Sequence, residues 1–326
     1  MSNLLKTAAV TTLIALSSTL AAATDAAPKL PAVAVSEELV IDRREIAVLD
    51  STMSYLEEGE GDVVVFLHGN PSSAYLWRNV IPYVSSSHRV IAPDLIGMGQ
   101  SGKPDIAYTF ADHARYLEAF VAELNLPEIT LVSHDWGAAL AWDFARRNPD
   151  KVVRLAYMEG VLPPAFPQES YEAMGEEMGG MFRALRDPEK GREMVMEGNM
   201  FVENILPMMA NRPLGEAAME TYRAPYSTVD SRLPTWMWPR EVPINGMPAS
   251  NVQLMQDIQT FMGDTDMPVL LAYAEPGVLV PPQAVPFYTD LIGNLETAFV
   301  GQGLHFIQED QPDAIGRAIA DWLRRN

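Results

Sequence analysis

The 326-residue chain has no cysteine, which excludes a disulfide framework, a thiolate metal site and a thiol nucleophile. Positive charge is scarce: 23 Lys and Arg stand against 43 Asp and Glu, a formal net charge of −20. A surface this acidic repels nucleic acid and anionic membranes, so neither is expected as a partner. There are five histidines, and no two of them have metal-ligand spacing, so no metal is expected; the chemistry derived below requires no organic cofactor. Long uncharged apolar runs are missing too, except at residues 7–20, which follow Lys6 and precede Ala21-Ala22-Ala23. A short basic start, an apolar run and a small-residue cleavage pattern together have the form of a secretory signal peptide, and the run is too short and weakly apolar for a spanning helix. The expectation is export to the periplasm or beyond the cell without stable membrane association. Residues 1–23 would be the signal, and residues 24–36, rich in Ala and Pro, a flexible lead-in.

What is present is 48% hydrophobic content, enough for one large core or a core with an insertion. Residues 44–49 and 53–57 alternate apolar and polar positions around a turn, as in an antiparallel hairpin at a sheet edge. The run Val63-Val64-Val65-Phe66-Leu67 has no polar face and predicts a central strand covered on both sides. A helix over about 75–84 and a strand over 90–94 follow. The Gly-rich loop 97–104 lacks the Gly-Lys-Ser/Thr ending of a phosphate loop. Thr109 and Asp112 are spaced as a capping box for a helix running to about residue 124. Residues 129–132 and 152–158 read as further buried strands. Alternating strands and helices predict an α/β fold with a mostly parallel, doubly wound sheet. The alternation stops after Glu159. Residues 160–250, rich in Met, Pro and Glu, read as interrupted helices, an inserted cap between core segments 37–159 and 251–326. Met174, Met178 and Met181 recur at helical spacing, which suits core packing or a pocket wall on the underside of such a cap. Alternation returns with a strand at 268–274, a helix at 284–292, a strand at 297–300 and an amphipathic helix from Pro312.

The chain is organised around Ser133-His134-Asp135-Trp136-Gly137, between a predicted strand and a predicted helix at 138–145. A strand, a sharp corner with small flanking residues and a helix form the nucleophile elbow of an α/β-hydrolase fold. Its centre is Asp135 where most such elbows carry serine. A carboxylate is a poor acyl nucleophile, but it displaces a leaving group at saturated carbon or opens an epoxide, leaving an alkyl ester on the protein. Water must then attack the carboxyl carbon, which needs a base and an acid to orient it. His305, in the Gly-rich loop after the last strand, keeps the order nucleophile, acid, histidine. His68, His88, His113 and His134 read as turn, packing or surface residues. The peptide N–H groups of Asn70 and Trp136 suit an oxyanion hole facing Asp135. The Asn70 amide and the Trp136 indole N–H are donors for a departing halide. Glu159 and Glu275 both end strands in the right order for the acid, and the residues alone leave both open.

With these residues in hand the chain is similar to the haloalkane dehalogenases over nearly its whole length. The likeness is carried by His68-Gly69-Asn70-Pro71-Ser72-Ser73, the Asp135 elbow, Met158-Glu159, Trp238-Pro239-Arg240, Glu275-Pro276-Gly277 and Gly303-Leu304-His305-Phe306. The resemblance is to the branch with the acid after the strand that follows the nucleophile helix. It implies Glu159 as the acid, Asn70 with Trp136 as the halide pair, and Trp238, Pro239, Phe166 and Leu279 as pocket residues. It implies a small halogenated hydrocarbon as substrate and a halide ion as product. Ser133, where the family has Gly, is a departure small enough to fit. Three rival readings stand: an epoxide hydrolase, which needs two cap tyrosines from among Tyr171, Tyr222 and Tyr226; a coelenterazine-type luciferase; and a hydrolase-like protein that binds a small ligand without turnover.

Overall fold

The computed structural model describes residues 35–326. The expected signal peptide and nearly all of the lead-in lie outside them. Eight strands form one sheet: β1 (Arg43–Val48), β2 (Ser51–Glu58), β3 (Val63–Leu67), β4 (Arg89–Pro93), β5 (Ile129–Asp135), β6 (Val152–Gly160), β7 (Val269–Pro276) and β8 (Leu295–Gly303). Their order is β1-β2-β4-β3-β5-β6-β7-β8. β1 and β2 pair antiparallel, β2 meets β4 antiparallel, and every pair from β4 to β8 is parallel. This is the α/β-hydrolase arrangement that the alternating pattern predicts.

The unbroken apolar run of β3 is explained by its two faces. Val63, Val65 and Leu67 point into one core with the helices Phe110–Glu123, Trp136–Arg147 and Ala249–Asp264. Val64 and Phe66 point into another with Ile81, Val84, Ile315, Ile319 and Trp322. Both cores bury nearly all of their side chains, so alternate residues of one strand must all be apolar.

Thr109 and Asp112 make both hydrogen bonds of the capping box that starts Phe110–Glu123. The carboxylate of Glu241, at the end of Leu233–Glu241, also accepts the Phe110 N–H at 2.9 Å. A carboxylate on the positive end of a helix is favourable, and this one ties the segment after β6 to a core helix. The single helix expected over 75–84 is two pieces, a 3-10 turn Ala74–Trp77 and a helix Ile81–Ser85. Pro82 has no N–H to continue the first piece and suits the first turn of a new one.

Between β6 and β7 no strand forms, and the chain runs as Glu176–Arg186, the π-helical turns Arg192–Glu197 and Phe201–Ile205, Glu216–Arg223 and Leu233–Glu241. Ala249–Asp264, which opens just before residue 251, packs on Trp136–Arg147, where the Trp142 and Phe261 rings meet edge-on at 6.1 Å. No helix among the described residues is long and apolar enough to cross a membrane.

Candidate active site

Asp135 is the last residue of β5, at φ 54° and ψ −128°, and the helix Trp136–Arg147 starts at the next residue. Few non-glycine residues adopt such a backbone, and strain of this kind gathers where a side chain must be presented. The corner needs glycine two residues after the nucleophile and again in the loop after β3 that faces it. A Cβ on Gly137 would lie 2.4 Å from the Leu67 carbonyl oxygen, and one on Gly69 would lie 2.0 Å from Asp135 Oδ1. Ser133 fits: it is fully buried and its hydroxyl donates to the Ala156 carbonyl at 3.2 Å. Asp135 Oδ1 accepts the Asn70 peptide N–H at 2.7 Å, and the Trp136 N–H also lowers the carboxyl's pKa.

Glu159 owes its place to an irregularity in β6. His134 pairs with Met158 and Asp135 pairs with Gly160, so Glu159 is the extra residue of a bulge, at φ 44°. A bulge turns a side chain out of the ladder's alternation. The side chain enters a turn after β7 and is wholly buried there, accepting the consecutive N–H groups of Val278, Leu279 and Val280 at 2.8–3.2 Å. Hydrogen bonds to a charged group contribute about 1.5–3 kcal/mol each, so this carboxylate is firmly held. Glu275, the rival in the sequence, is exposed and accepts a hydrogen bond from Gln302 at 3.2 Å.

His305, in the loop after β8, lies between the two buried carboxylates. Its Nδ1 is 3.2 Å from Glu159 Oε2 and its Nε2 is 3.3 Å from Asp135 Oδ2. Burial pushes its pKa down, but the hydrogen bonds and charges of Asp135 and Glu159 outweigh that and raise it to about 9. The two carboxylates thus favour the protonated ring while Asp135 is ionised. Asp135 shows the converse: burial raises its pKa, and His305, together with His134 and the Trp136 N–H, offsets this and holds it below the usual carboxylate range. The His305 carbonyl accepts from His134 Nε2 at 2.8 Å, which sets that tautomer, and burial pushes His134 down to about 3 and keeps it neutral. His68 is likewise buried in a turn, bonded to Gly69 and Leu95.

These groups open onto a cavity of about 160 Å³, close to the roughly 150 Å³ of an engineered apolar cavity that takes up benzene. Asn70, Asp135, Trp136 and His305 line its floor, and Phe166, Pro239 and Leu279 are on its wall. Asn70 Nδ2 donates to the Thr235 carbonyl at 3.3 Å, which turns the amide's donor end toward Leu233–Glu241. Trp238, expected on the wall, is not there. It is fully buried behind Trp136, with the two indoles stacked at 4.8 Å, and its other face stacks on His113 at 4.2 Å. Its Nε1 points to Met98 Sδ at 3.3 Å. Pro239 reaches the cavity because neighbouring helical positions face different ways.

Apart from Phe306, in the motif at residues 303–306, no motif names the rest of the wall. Met174, Met178, Met181 and Met209 line it together with Phe182, Phe201, Ile205 and Phe306. The methionine spacing was the one signal in the sequence. Phe201 and Ile205 bound a π-helical turn, a form often found at functional sites. Tyr171, Tyr222 and Tyr226 are absent from the wall. The Tyr222 hydroxyl donates to Glu309, that of Tyr226 to the Pro71 carbonyl, and that of Tyr171 accepts from Arg186.

Known proteins resemble this chain in sequence and in fold. The alpha/beta hydrolase fold family matches residues 62–312. A haloalkane dehalogenase of Mesorhizobium japonicum is 45% identical over 86% of this chain and 91% of its own length. A haloalkane dehalogenase of Sphingobium indicum is 40% identical over 87% of this chain and 96% of its own. Among solved structures, the haloalkane dehalogenase DbeA from Bradyrhizobium elkani superposes with a TM-score of 0.84 at 42% identity, covering 87% of this chain and 98% of that one. The chain belongs to the haloalkane dehalogenases.

Proposed function

We propose that this protein hydrolyses small haloalkanes to an alcohol, a halide ion and a proton through an ester on Asp135. The observation that carries the mechanism is the placement of His305 between Asp135 and Glu159 on the floor of an apolar cavity. Asp135 Oδ1 faces the Asn70 peptide N–H, the side on which charge collects in the second step, so Oδ2 attacks and gives up its contact with His305 Nε2. The new C–O bond forms as the carbon–halogen bond breaks, and the halide leaves with the bonding pair. The Asn70 amide and the Trp136 indole N–H stabilise it.

Esterification removes the negative charge of Asp135, which is among the groups holding the His305 proton. The ring then gives its proton to solvent, which is the proton released by the overall reaction, and becomes the base for the second step. Water adds to the Asp135 carboxyl carbon while His305 takes its proton, and charge collects on the oxygen facing the Asn70 and Trp136 peptide N–H groups. Collapse breaks the bond to the alkyl oxygen, which takes the hydroxyl proton of the intermediate and leaves as the alcohol, so Asp135 returns to a carboxylate beside the protonated ring. Glu159 stabilises the imidazolium and fixes the ring.

An epoxide hydrolase needs tyrosine hydroxyls in the cavity, and the three candidates are bonded elsewhere. The test is halide release from a panel of short bromo- and iodoalkanes, with Asp135→Ala as control and styrene oxide in parallel. Halide release that the substitution removes supports the reading. Diol from the epoxide with no halide release contradicts it. The N-terminal pattern supports a further proposal, export to the periplasm or medium; a mature protein that still begins at Met1 would contradict it.

A further inference from the structure

Behind His305, a second carboxylate joins two parts of the chain that the mechanism treats separately. The Met209 carbonyl, at the end of the π-helical stretch, accepts the N–H groups of His305 at 3.0 Å and Phe306 at 3.1 Å. Further along, the N–H groups of Asn211 and Arg212 donate to the Asp310 carboxylate, at 3.0 Å to Oδ2 and 2.8 Å to Oδ1. The same Oδ2 accepts the N–H of Leu304, the residue before His305, at 3.1 Å. The Asp310 carbonyl accepts Arg212 Nε at 2.9 Å. Asp310 is wholly buried. Burial raises its pKa to about 6, and the three N–H donors oppose that rise. The adjacent Glu309 also raises it, while Glu309's own oxygens are bonded to Arg78 and Tyr222.

Three peptide donors thus converge on one interior acceptor, two from the segment between β6 and β7 and one from the loop that carries His305. On one side the joined segment presents Met209 to the cavity, and on the other it grips the backbone of His305. Asn70, Asp135 and Trp136, which act in the first step, make none of these bonds.

We propose that Asp310 is a positioning residue for ester hydrolysis, a latch that holds residues 209–212 against residues 304–306 and so sets where His305 Nε2 meets the attacking water. This rests on the Asp135 ester reading. Loosening the latch slows the second step and spares the first, because alkylation does not need His305 as a base. A purely structural role would lower both steps together.

The test is Asp310→Asn, which keeps the size and replaces one acceptor oxygen with a donor facing a peptide N–H. Single turnovers with 1-bromobutane are quenched, and bromide and the mass of the Asp135 peptide are followed in time. The bromide burst is expected to stay within about twofold of the parent. Ester hydrolysis is expected to slow by about tenfold to a hundredfold, the scale of a small misplacement of a catalytic group. The alkylated protein then becomes the main steady-state species. Equal loss in both steps, or unchanged hydrolysis, overturns the proposal.

Hydrogen exchange on the unaltered protein keeps the proposal testable if the variant does not fold. The amides of Asn211, Arg212, Leu304, His305 and Phe306 should open as one unit. Rapid exchange at 211 and 212 beside protected amides at 304–306 overturns the latch. The ester reading has its own control: His305→Phe should trap the alkyl group on Asp135. An adduct that never forms there removes that reading whatever Asp310 does.

Discussion

The floor and the roof of the cavity are made in opposite ways. On the floor, Asp135 rests on the Asn70 N–H, Glu159 on three consecutive peptide N–H groups, and His305 between the two carboxylates. All three are at the ends of sheet strands or in the loop just beyond. On the roof, the part of the wall formed between β6 and β7, Met174, Met178, Met181 and Phe201 belong to separate helical pieces and Met209 follows one, and their side chains are apolar. Bond making tolerates errors of tenths of an ångström, and backbone hydrogen bonds on a rigid sheet supply that precision. Substrate selection in an apolar pocket needs shape, which unbranched methionine side chains adjust. The difference predicts that changes on the floor act on rate and changes on the roof act on KM.

The largest effect should come from the acid. Glu159→Gln should lower kcat by about 10³- to 10⁴-fold, the scale seen when the orienting acid of a triad becomes an amide. Glu275→Gln, at an exposed position, should stay within about twofold. Steady-state halide release on the two variants breaks the comparison if their order is reversed.

A pH change should separate the two steps. Asp135 is held below its usual range and stays ionised in mild acid, so alkylation continues. Hydrolysis needs neutral His305, and falling pH keeps that ring protonated. Intact-mass spectra should therefore show alkyl-enzyme accumulating near about pH 5 and disappearing as pH rises. Accumulation in the alkaline direction would contradict the sign.

Trp238 sharpens the boundary between floor and wall. As it stacks behind Trp136 without reaching the cavity, Trp238→Phe should weaken bromide binding by about two- to tenfold, from the loss of part of an aromatic stack. Substrate chain-length preference should not change. Bromide quenching of tryptophan fluorescence reads the first and a chain-length series the second.

The smallest effect belongs to the roof. Met178→Leu and Met181→Leu, near-equal in volume, should change KM by less than about tenfold and leave single-turnover ester hydrolysis unchanged. A slowed hydrolysis step would tie the roof to the chemistry and blur the contrast.

The floor was far easier to read in the sequence than the roof, because its signals are local. The run at 63–67 has no polar face, and the strand occupies Val63–Leu67. The corner at Ser133-His134-Asp135-Trp136-Gly137 announces itself by small residues around a carboxylate. The choice between Glu159 and Glu275 was not legible from strand order. It depends on a one-residue bulge in β6 and on the turn of three N–H groups after β7, both tertiary facts. The methionine spacing suggests one helix face, but only Met178 and Met181 share the helix Glu176–Arg186, while Met174 ends the 3-10 turn before it, and the spacing does not say what that face meets. Trp238 was assigned to the wall with its neighbour Pro239, but adjacent helical residues point in different directions, and only packing decides which reaches the cavity. The helix expected over 75–84 divides between Trp77 and Ile81, and Pro82, in the first turn of the second piece, is the local signal that the apolar pattern around it hides.

The most direct test of the ester mechanism is a single turnover with protein in excess over 1-bromobutane in heavy-oxygen water. Water attacks the carboxyl carbon of Asp135 in this mechanism, so the alcohol should leave with ordinary oxygen from the side chain and the heavy isotope should appear in the Asp135 peptide. Heavy oxygen in the alcohol with an unlabelled Asp135 peptide would mean that water attacks the substrate directly, and the role given to Asp135 would be wrong.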